Sequence, residues 1–434
     1  MGVTGLSRAG KTAFLTSLAT NLLALGAGLP ALPAVSERLG GRSLRVALAP
    51  AGAEGLPRFD HRRHVAALAA DPPRWPARTD AVSLLALDLD IARPGLPLPP
   101  SRWRLELLDY PGEWLLDLPL LDQDFARWSA AMLRRLETGP ALGLARDFLA
   151  FAHGLPARAA ADEGLAATGH RLYRAALGRL RDEAGLSYLQ PGRFLMPPPG
   201  PESPWMTFFP LPGQSGLAAL LARRYDAYRA AVRQDLVSPL FGNLDRLVVL
   251  ADVLSALHAG PAAFEDASAA LAAAAGALRW RFSWTDALTA LRELRLPGRI
   301  INRVAFAATK VDHVAERQRG NLASLMRALT GVPGQGGAMS AAFALASVRC
   351  TEDFVWTLEG RPVSAVRGRV VGDSRFTRSY PGEVPDRPPD AGFWAHPFLA
   401  LPDFEPVRPP GGGREGVPQI GLDALLVYLL EDVV

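Results

Sequence analysis

The chain has 434 residues, 49% of them hydrophobic and 21% charged, a balance that allows two or three folded domains with a substantial core and excludes a disordered chain. With 47 Lys+Arg against 43 Asp+Glu the formal net charge is only +4, and the arginines are scattered, so the charge gives no support for nucleic acid as a partner. Cys350 is the only cysteine, which excludes an internal disulfide and suits a reducing cytosol; no cleavable signal is read, and no run of about 18 apolar residues offers a transmembrane segment.

The cations are nearly all arginine: lysine occurs only at Lys11 and Lys310. A compact ammonium on a flexible stem cannot be replaced by a planar guanidinium fork where geometry is tight. Both positions are therefore candidates for chemistry.

In chain order, Met1 to Thr4 is expected to be a strand, and a short one. It feeds Gly5-Leu6-Ser7-Arg8-Ala9-Gly10-Lys11-Thr12, which fits G-x-x-x-x-G-K-[ST], the P-loop pattern. In such a loop the backbone N–H groups, here from Ser7 to Ala13, wrap phosphate oxygens. Lys11 would reach the outer phosphates and the Thr12 hydroxyl would ligate Mg²⁺. Apolar residues at helical spacing follow from Ala13 to Leu23, setting a helix N-terminus and its partial positive charge against the phosphates. Arg8 either supplies charge to a transferring phosphoryl group or points outward.

From Leu29 to Asp80 the Gly, Pro and Arg content predicts a long loop with one helix near His61 to Ala70. Thr79 precedes the next strand and is placed like a switch threonine that closes on Mg²⁺; a loop threonine capping a turn is the alternative. Val82 to Ile91 and Arg102 to Leu108 alternate as two strands joined by a Pro/Gly turn. The second runs into Asp109-Tyr110-Pro111-Gly112-Glu113, a D-x-x-G: Asp109 would orient Mg²⁺ through water and the Gly112 N–H would sense a third phosphate. Glu113 is a candidate for positioning water, opposed by the phosphate charge, with a solvated carboxylate as the alternative.

Helical periodicity then dominates residues 114 to about 242, in segments such as Phe125 to Glu137, Leu142 to Phe151, Gly164 to Ala184 and Leu217 to Leu236. Arg246 to Leu254 is a near-continuous apolar run suited to a buried parallel strand. Helices are expected over Ala262 to Trp280 and Trp284 to Leu294. The strand from Arg303 ends in Thr309-Lys310-Val311-Asp312, a T-K-x-D that gives the second lysine its context, and a further helix and the strand Ala342 to Arg349 follow. A hairpin is predicted around Glu359-Gly360, then loops from Asp373 to Val417 and a closing helix from Leu422 to Val433. The alternation is that of an open, mostly parallel α/β sheet. It divides the chain into a core of 1–113, a helical insertion of 114–242 and a second core part of 243–434.

P-loop, D-x-x-G, T-K-x-D and Ala346-Ser347-Val348-Arg349, in this order at strand ends, resemble the motif set of the Ras-like GTPases. The longer phrases Thr4 to Phe14, Leu108-Asp109-Tyr110-Pro111-Gly112-Glu113-Trp114 to Pro119, Gln190-Pro191-Gly192-Arg193-Phe194, Phe306 to Lys310 and Tyr380-Pro381-Gly382-Glu383-Val384-Pro385 resemble the YcjX-like family of bacterial stress-associated P-loop GTPases. The resemblance implies a Ras-like P-loop core with an inserted all-helical domain, binding GTP or GDP with Mg²⁺. By it Asp312 would read guanine, Lys310 would stack along the base, and backbone N–H groups near Ser347 and Val348 would meet the guanine oxygen; Thr309 stands where the family pattern usually has asparagine. It further implies slow GTP hydrolysis, since no glutamine follows Gly112, and a cytosolic protein peripheral to the inner membrane that works with a membrane protein of the same stress regulon. By the same resemblance a leader is expected before the first strand, so that either the true start lies upstream of Met1 or the strand is clipped. A nucleotide-holding scaffold and an ATP-using kinase are the other readings the motifs allow.

Overall fold

The computed structural model describes residues 1–50, 56–77, 82–92, 99–197, 200, 203–234, 244–281, 301–332, 340–358, 360–373, 375–396, 398 and 401–433. The chain forms two compact units. Met1–Tyr110, Asp245–His258 and Ile301–Val434 make the first; Pro111–Leu244 and Ala259–Ile300 make the second.

The first unit is built on a seven-stranded sheet of β1 (Gly2–Gly5), β2 (Ser43–Leu48), β3 (Ser83–Ala92), β4 (Ser101–Asp109), β5 (Arg246–Ala251), β6 (Arg303–Ala308) and β7 (Ser340–Ala344), in the order β2-β3-β4-β1-β5-β6-β7. The pairings of β4, β5, β6 and β7 with their neighbours toward β1 are parallel, while β2 and β3 run antiparallel. β1 is short yet paired on both sides, with Gly2 to Gly5 opposite Leu247 to Leu250 and Val3 opposite Asp109. Every residue of β5 is buried, as its unbroken apolar run predicts for a strand covered on both faces.

Helix α1 (Lys11–Gly26) sends Phe14, Leu15, Leu18 and Leu22 into the same core as Val3, Val248, Leu250 and, from the closing helix Leu422–Leu429, Leu425, Leu426 and Leu429. At roughly 25 cal/mol per Å² of apolar surface removed from water, such a stripe dominates the stability of the helix over its sheet. Asp423 of the closing helix accepts from the N–H groups of Ala34 (2.7 Å) and Val35 (3.1 Å), ending the helix Pro33–Leu39 on a carboxylate.

A second, antiparallel sheet of β8 (Glu352–Leu358), β9 (Arg361–Arg369) and β10 (Phe376–Ser379) extends the expected hairpin by one strand. Two expectations are corrected in this unit. β2 lies where only loop and one helix were expected; Ser43-Leu44-Arg45-Val46-Ala47-Leu48 pairs along its whole length with Leu87 to Ala92 at the sheet edge. The apolar run beginning at Arg246 is strand only to Ala251, because Asp252 accepts from Ser255 N (3.0 Å) and starts the helix Val253–Ala259.

The second unit is helical in its described residues. Asp124, Asp162 and Ser215 cap the helices Phe125–Leu136, Glu163–Asp182 and Gly216–Val232 by accepting from Arg127 N, Leu165 N and Ala218 N. Trp128, Tyr173, Phe194, Phe208, Tyr225 and Tyr228 meet in an aromatic core, mostly edge to face. The helix Pro261–Arg281 also belongs here, whereas the division read from the sequence put it in the resumed core. Its Asp266 pairs with Arg135 and accepts from the N–H groups of Ser187 (2.5 Å) and Tyr188 (2.9 Å), contacts that adjacency along the chain does not reveal. The helix expected from Trp284 to Leu294 lies outside the described residues.

The segment Gly112–Asp122 is a run of 3₁₀ turns embedded in this unit. Asp117, fully buried, accepts from Gly192 N (2.7 Å), Tyr228 OH (2.7 Å) and Arg193 N (3.3 Å). Burial pushes its carboxyl up to about 6 in spite of those donors and of the Arg193 charge. Gln190 adds a bond from Nε2 to Leu116 O (2.6 Å). A Cβ on Gly192 would lie 1.8 Å from Glu113 O, so only glycine admits this approach of two backbones.

Candidate functional site

The P-loop leaves β1 through a contact that only glycine tolerates. A Cβ at Gly5 would sit 2.3 Å from Leu250 O, and that carbonyl accepts from Leu6 N at 2.9 Å. The loop then turns through two left-handed residues, Arg8 (φ 63°) and Gly10 (φ 80°). For Arg8 this conformation is uncommon and costs of order 1 kcal/mol, a strain typical of ligand loops. Its side chain is exposed. Ala9 is buried, and its N–H closes the loop onto Leu6 O (3.2 Å).

Gly10 is the N-cap of α1 and makes no side-chain cap, and the first turn of α1 carries no acidic residue. The helix therefore presents its partial positive charge and first N–H groups to whatever lies before it. Lys11 Nζ folds back to Gly5 O at 3.4 Å, and Ser7 Oγ is buried without a hydrogen-bond partner among the described residues. An uncapped helix start, a lysine turned onto its own loop and an orphaned hydroxyl fit a phosphate chain. Thr12 and Asp109 are buried, the first at the start of α1 and the second at the end of β4, beside Val3 of β1. A hydroxyl and a carboxylate are the hard oxygen donors that Mg²⁺ takes.

Gly112 and Glu113 belong to the second unit. Glu113 is only 6% exposed, which rules out the solvated carboxylate considered from sequence. Thr79 lies outside the described residues. Ala13, in the first turn of α1, packs beside a small apolar cluster of Leu68, Val348 and Val417.

At the same edge of the parallel strands, Thr309 ties β6 to β5, its N–H (2.9 Å) and Oγ1 (3.3 Å) both donating to Ala251 O. Lys310 adopts φ 60° and sets Nζ 2.6 Å from Asp252 Oδ2. Burial alone would lower the lysine, but the carboxylate outweighs it and the pKa is raised, so the ammonium is secured. Asp252 is held in turn by Ser255 N and by Ser255 Oγ (2.6 Å).

Asp312 is 1% exposed, and its Oδ2 accepts from Cys350 N (2.7 Å) and Cys350 Sγ (3.0 Å). Thr351 Oγ1 donates to the Asp312 carbonyl. Ser347 and Val348 are buried a few residues earlier in the same loop, Val348 within the apolar cluster. The structure thus gathers Ser7 to Thr12, Asp109 and Thr309 to Asp312 at the C-terminal edge of the parallel strands, where open α/β sheets bind ligands. Asp252 and Cys350 join them, and neither was singled out for this site from sequence. The register of β5 with β6, which pairs Ala251 with Ala308, is what brings Asp252 beside Lys310.

The model of the YcjX-like family, DUF463, matches residues 1–434. Among proteins of known name, the chain is 36% identical to the "Ras-like GTPase YcjX" of Escherichia coli K12 over 459 aligned positions, covering 100% of this chain and 95% of that protein. It is 32% identical to the protein of the same name from Shewanella oneidensis over 466 positions, covering 100% and 94%. The mostly parallel sheet flanked by helices is the fold of a Ras-like P-loop core. Family match, identity and fold agree: the chain belongs to the YcjX-like family.

Proposed function

We propose that this protein binds GTP and GDP, hydrolyses GTP to GDP and phosphate slowly, and reports the nucleotide state through its helical unit, within a bacterial stress response. The observation that carries the reading is the start of α1: Gly10 in the left-handed region, no side-chain cap, no acidic residue in the first turn, and Lys11 beside it. An acidic residue in that turn would compete with phosphate, and the turn carries none. The relatives' name, Ras-like GTPase, supports the choice of guanine nucleotide. So does the Thr309-Lys310-Val311-Asp312 set, in which a carboxylate accepts both guanine edge donors, a pair that adenine lacks.

Phosphoryl transfer asks chiefly for positioning and charge stabilisation. The N–H groups of the loop from Ser7 to Ala13 would hold phosphate oxygens and Lys11 would meet the outer ones. Thr12 and Asp109, with Thr79, would hold Mg²⁺, which when bound supplies positive charge to the developing phosphate charge. Gly112 would sense the third phosphate through its N–H. Glu113 takes the place next to it where a water-orienting glutamine is wanted, and the lack of a glutamine after Gly112 supports slow turnover. Work at the membrane periphery with a membrane protein of the same regulon is part of the same proposal.

Displacement of a fluorescent GDP analogue by GTP but not by ATP, and loss of GTP affinity in Asp312→Asn, test the nucleotide assignment; equal displacement by ATP would refute it. Single-turnover decay of GTP tests the rate, and a rate typical of partner-activated GTPases in the isolated protein would overturn slow turnover. A nucleotide-holding scaffold is a second reading, favoured by the Asp117 cluster that holds the segment after Gly112 rigidly. Protease protection of the helical unit that is identical with GDP and with a non-hydrolysable GTP analogue would favour that reading.

A further inference from the structure

The carboxylate of Asp312 is presented in an uneven way. Its Oδ2 already takes two hydrogen bonds, from the N–H and the thiol of Cys350, while Oδ1 accepts none from any described residue. The backbone behind it is fixed as well, because Thr351 Oγ1 donates to the Asp312 carbonyl. One residue, Cys350, thus sets the plane and rotation of the only carboxylate in the T-K-x-D stretch.

Resting on the guanine reading above, we propose that Cys350 is a specificity-determining positioning residue: its two donors pin Oδ2 so that Oδ1 and the carboxylate plane face the two edge donors of guanine. The sulfur is a donor in this arrangement. Burial, and then the charge of Asp312, push the thiol far above its ordinary pKa, so the S–H is retained and points its proton at the carboxylate. A carboxylate free to rotate meets the ring N–H alone, whereas a fixed one meets the ring N–H and the exocyclic amine together. Hypoxanthine keeps the first donor and lacks the second, so the ratio of GDP to IDP affinity reads the fixation directly.

The ligand atoms of Asp312, His313 and Cys350 lie within 4.8 Å of one another, and the His313 ring nitrogen Nε2 is 3.5 Å from the sulfur. The same three groups would suit a transition metal, but a metal needs the thiolate and would occupy the oxygen that Cys350 pins. The two arrangements exclude each other, which makes the proposal decidable.

The test measures GDP, IDP and ADP affinities of the full chain as wild type, Cys350→Ala and Cys350→Ser, with thermal melts of each. Cys350→Ala is expected to lower the GDP-to-IDP preference by about fivefold, the loss of one modest hydrogen bond expressed as a ratio. Cys350→Ser, which keeps a donor on the side chain, is expected to hold the preference within about twofold of wild type. An unchanged preference in Cys350→Ala, or a loss shared equally by GDP, IDP and ADP, would overturn the proposal while leaving the guanine assignment standing. Stoichiometric zinc in the purified wild-type protein would also overturn it. Failure of the wild type to bind GDP would instead remove the reading on which it rests.

Discussion

Replacing Gly192 by alanine places a methyl group on a site with no room for it. The new Cβ would lie 1.8 Å from Glu113 O and 2.4 Å from Glu113 C, and both are main-chain atoms that no rotamer change can move. Relief requires that the segment after Gly112 shift by more than an ångström. That shift strains the bond from Gly192 N to Asp117 Oδ1 (2.7 Å), one of the buried contacts that hold the segment. Overpacking of this kind costs about 1–3 kcal/mol, and the strain on a buried charge-assisted hydrogen bond adds about 1 kcal/mol more. A total of about 3 kcal/mol corresponds to a fall of roughly 6–12 °C in the melting of a unit of this size. Gly178 supplies the control. It lies inside the helix Glu163–Asp182, and a methyl added there would meet nothing within 4 Å, so alanine should be neutral or stabilise by about 0.5–1 kcal/mol. Calorimetric scans of both variants beside the wild type make the measurement. If Gly192→Ala melts with the wild type, the close approach of residues 192 and 113 is wrong, and with it the account of what fixes the segment after Gly112.

Other expectations follow from the same structure. Asp252→Asn removes the charge that keeps Lys310 protonated, so its pKa should fall and amine-directed labelling of Lys310 at pH 8 should accelerate several-fold, read by mass spectrometry in a chain whose only other lysine is Lys11; an unchanged rate would show the 2.6 Å pair to be unimportant. Asp117 has a folded pKa raised to about 6 from 3.8, so its contribution to stability is fully present below pH 3.8 and is lost as pH rises through about 6; wild type minus Asp117→Asn melting should therefore decline over that window and level off above it, by at most about 3 kcal/mol. His61, which meets Thr20 Oγ1 at 2.9 Å, is driven by burial down to about 4, so its contribution is present above pH 6.5 and lost as pH falls toward 4; His61→Gln should flatten that acid limb of the melting curve. Gly10→Ala puts a methyl into a left-handed position, and a loss of GTP affinity of tenfold or more with little change in melting would mark the loop as a ligand cradle and not a structural turn.

What the sequence disclosed was set by how local each demand is. The P-loop is legible because phosphate binding fixes glycines, a lysine and a hydroxyl at close spacing, and Asp109 because a strand delivers it there. β5 was legible from its unbroken apolar run. β2 was hidden because its six residues sit in a Pro- and Gly-rich stretch and acquire strand character only from the pairing of Leu44 with Ile91 and its neighbours. Asp252 reads as a residue at a strand end until the register of β5 with β6 is known. Cys350 lies six positions past the end of β7, and only the folding back of that loop sets it on Asp312. The helix Pro261–Arg281 follows β5 closely in the chain, and its packing in the other unit, which includes the Asp266 contacts, has no local signature.

The path of the chain through the two units carries a genetic consequence. The P-loop, Asp109, Lys310, Asp252, Asp312 and Cys350 lie in the first unit, whereas Gly112 and Glu113 lie in the second. Two joins, from Tyr110 to Asp245 and from His258 to Ile301, would close the first unit into one chain. The first join must run back along β5 and past one strand, a span of roughly 20–25 Å that about eight to ten residues bridge with slack. The second only completes a crossover that the helix Val253–Ala259 has already begun, so a few residues suffice. On the proposed reading, the split would place base recognition, through Lys310 and Asp312, and third-phosphate sensing, through Gly112, on different units of one chain, so that joining the ends of the first unit would remove the second role without altering a residue of the first.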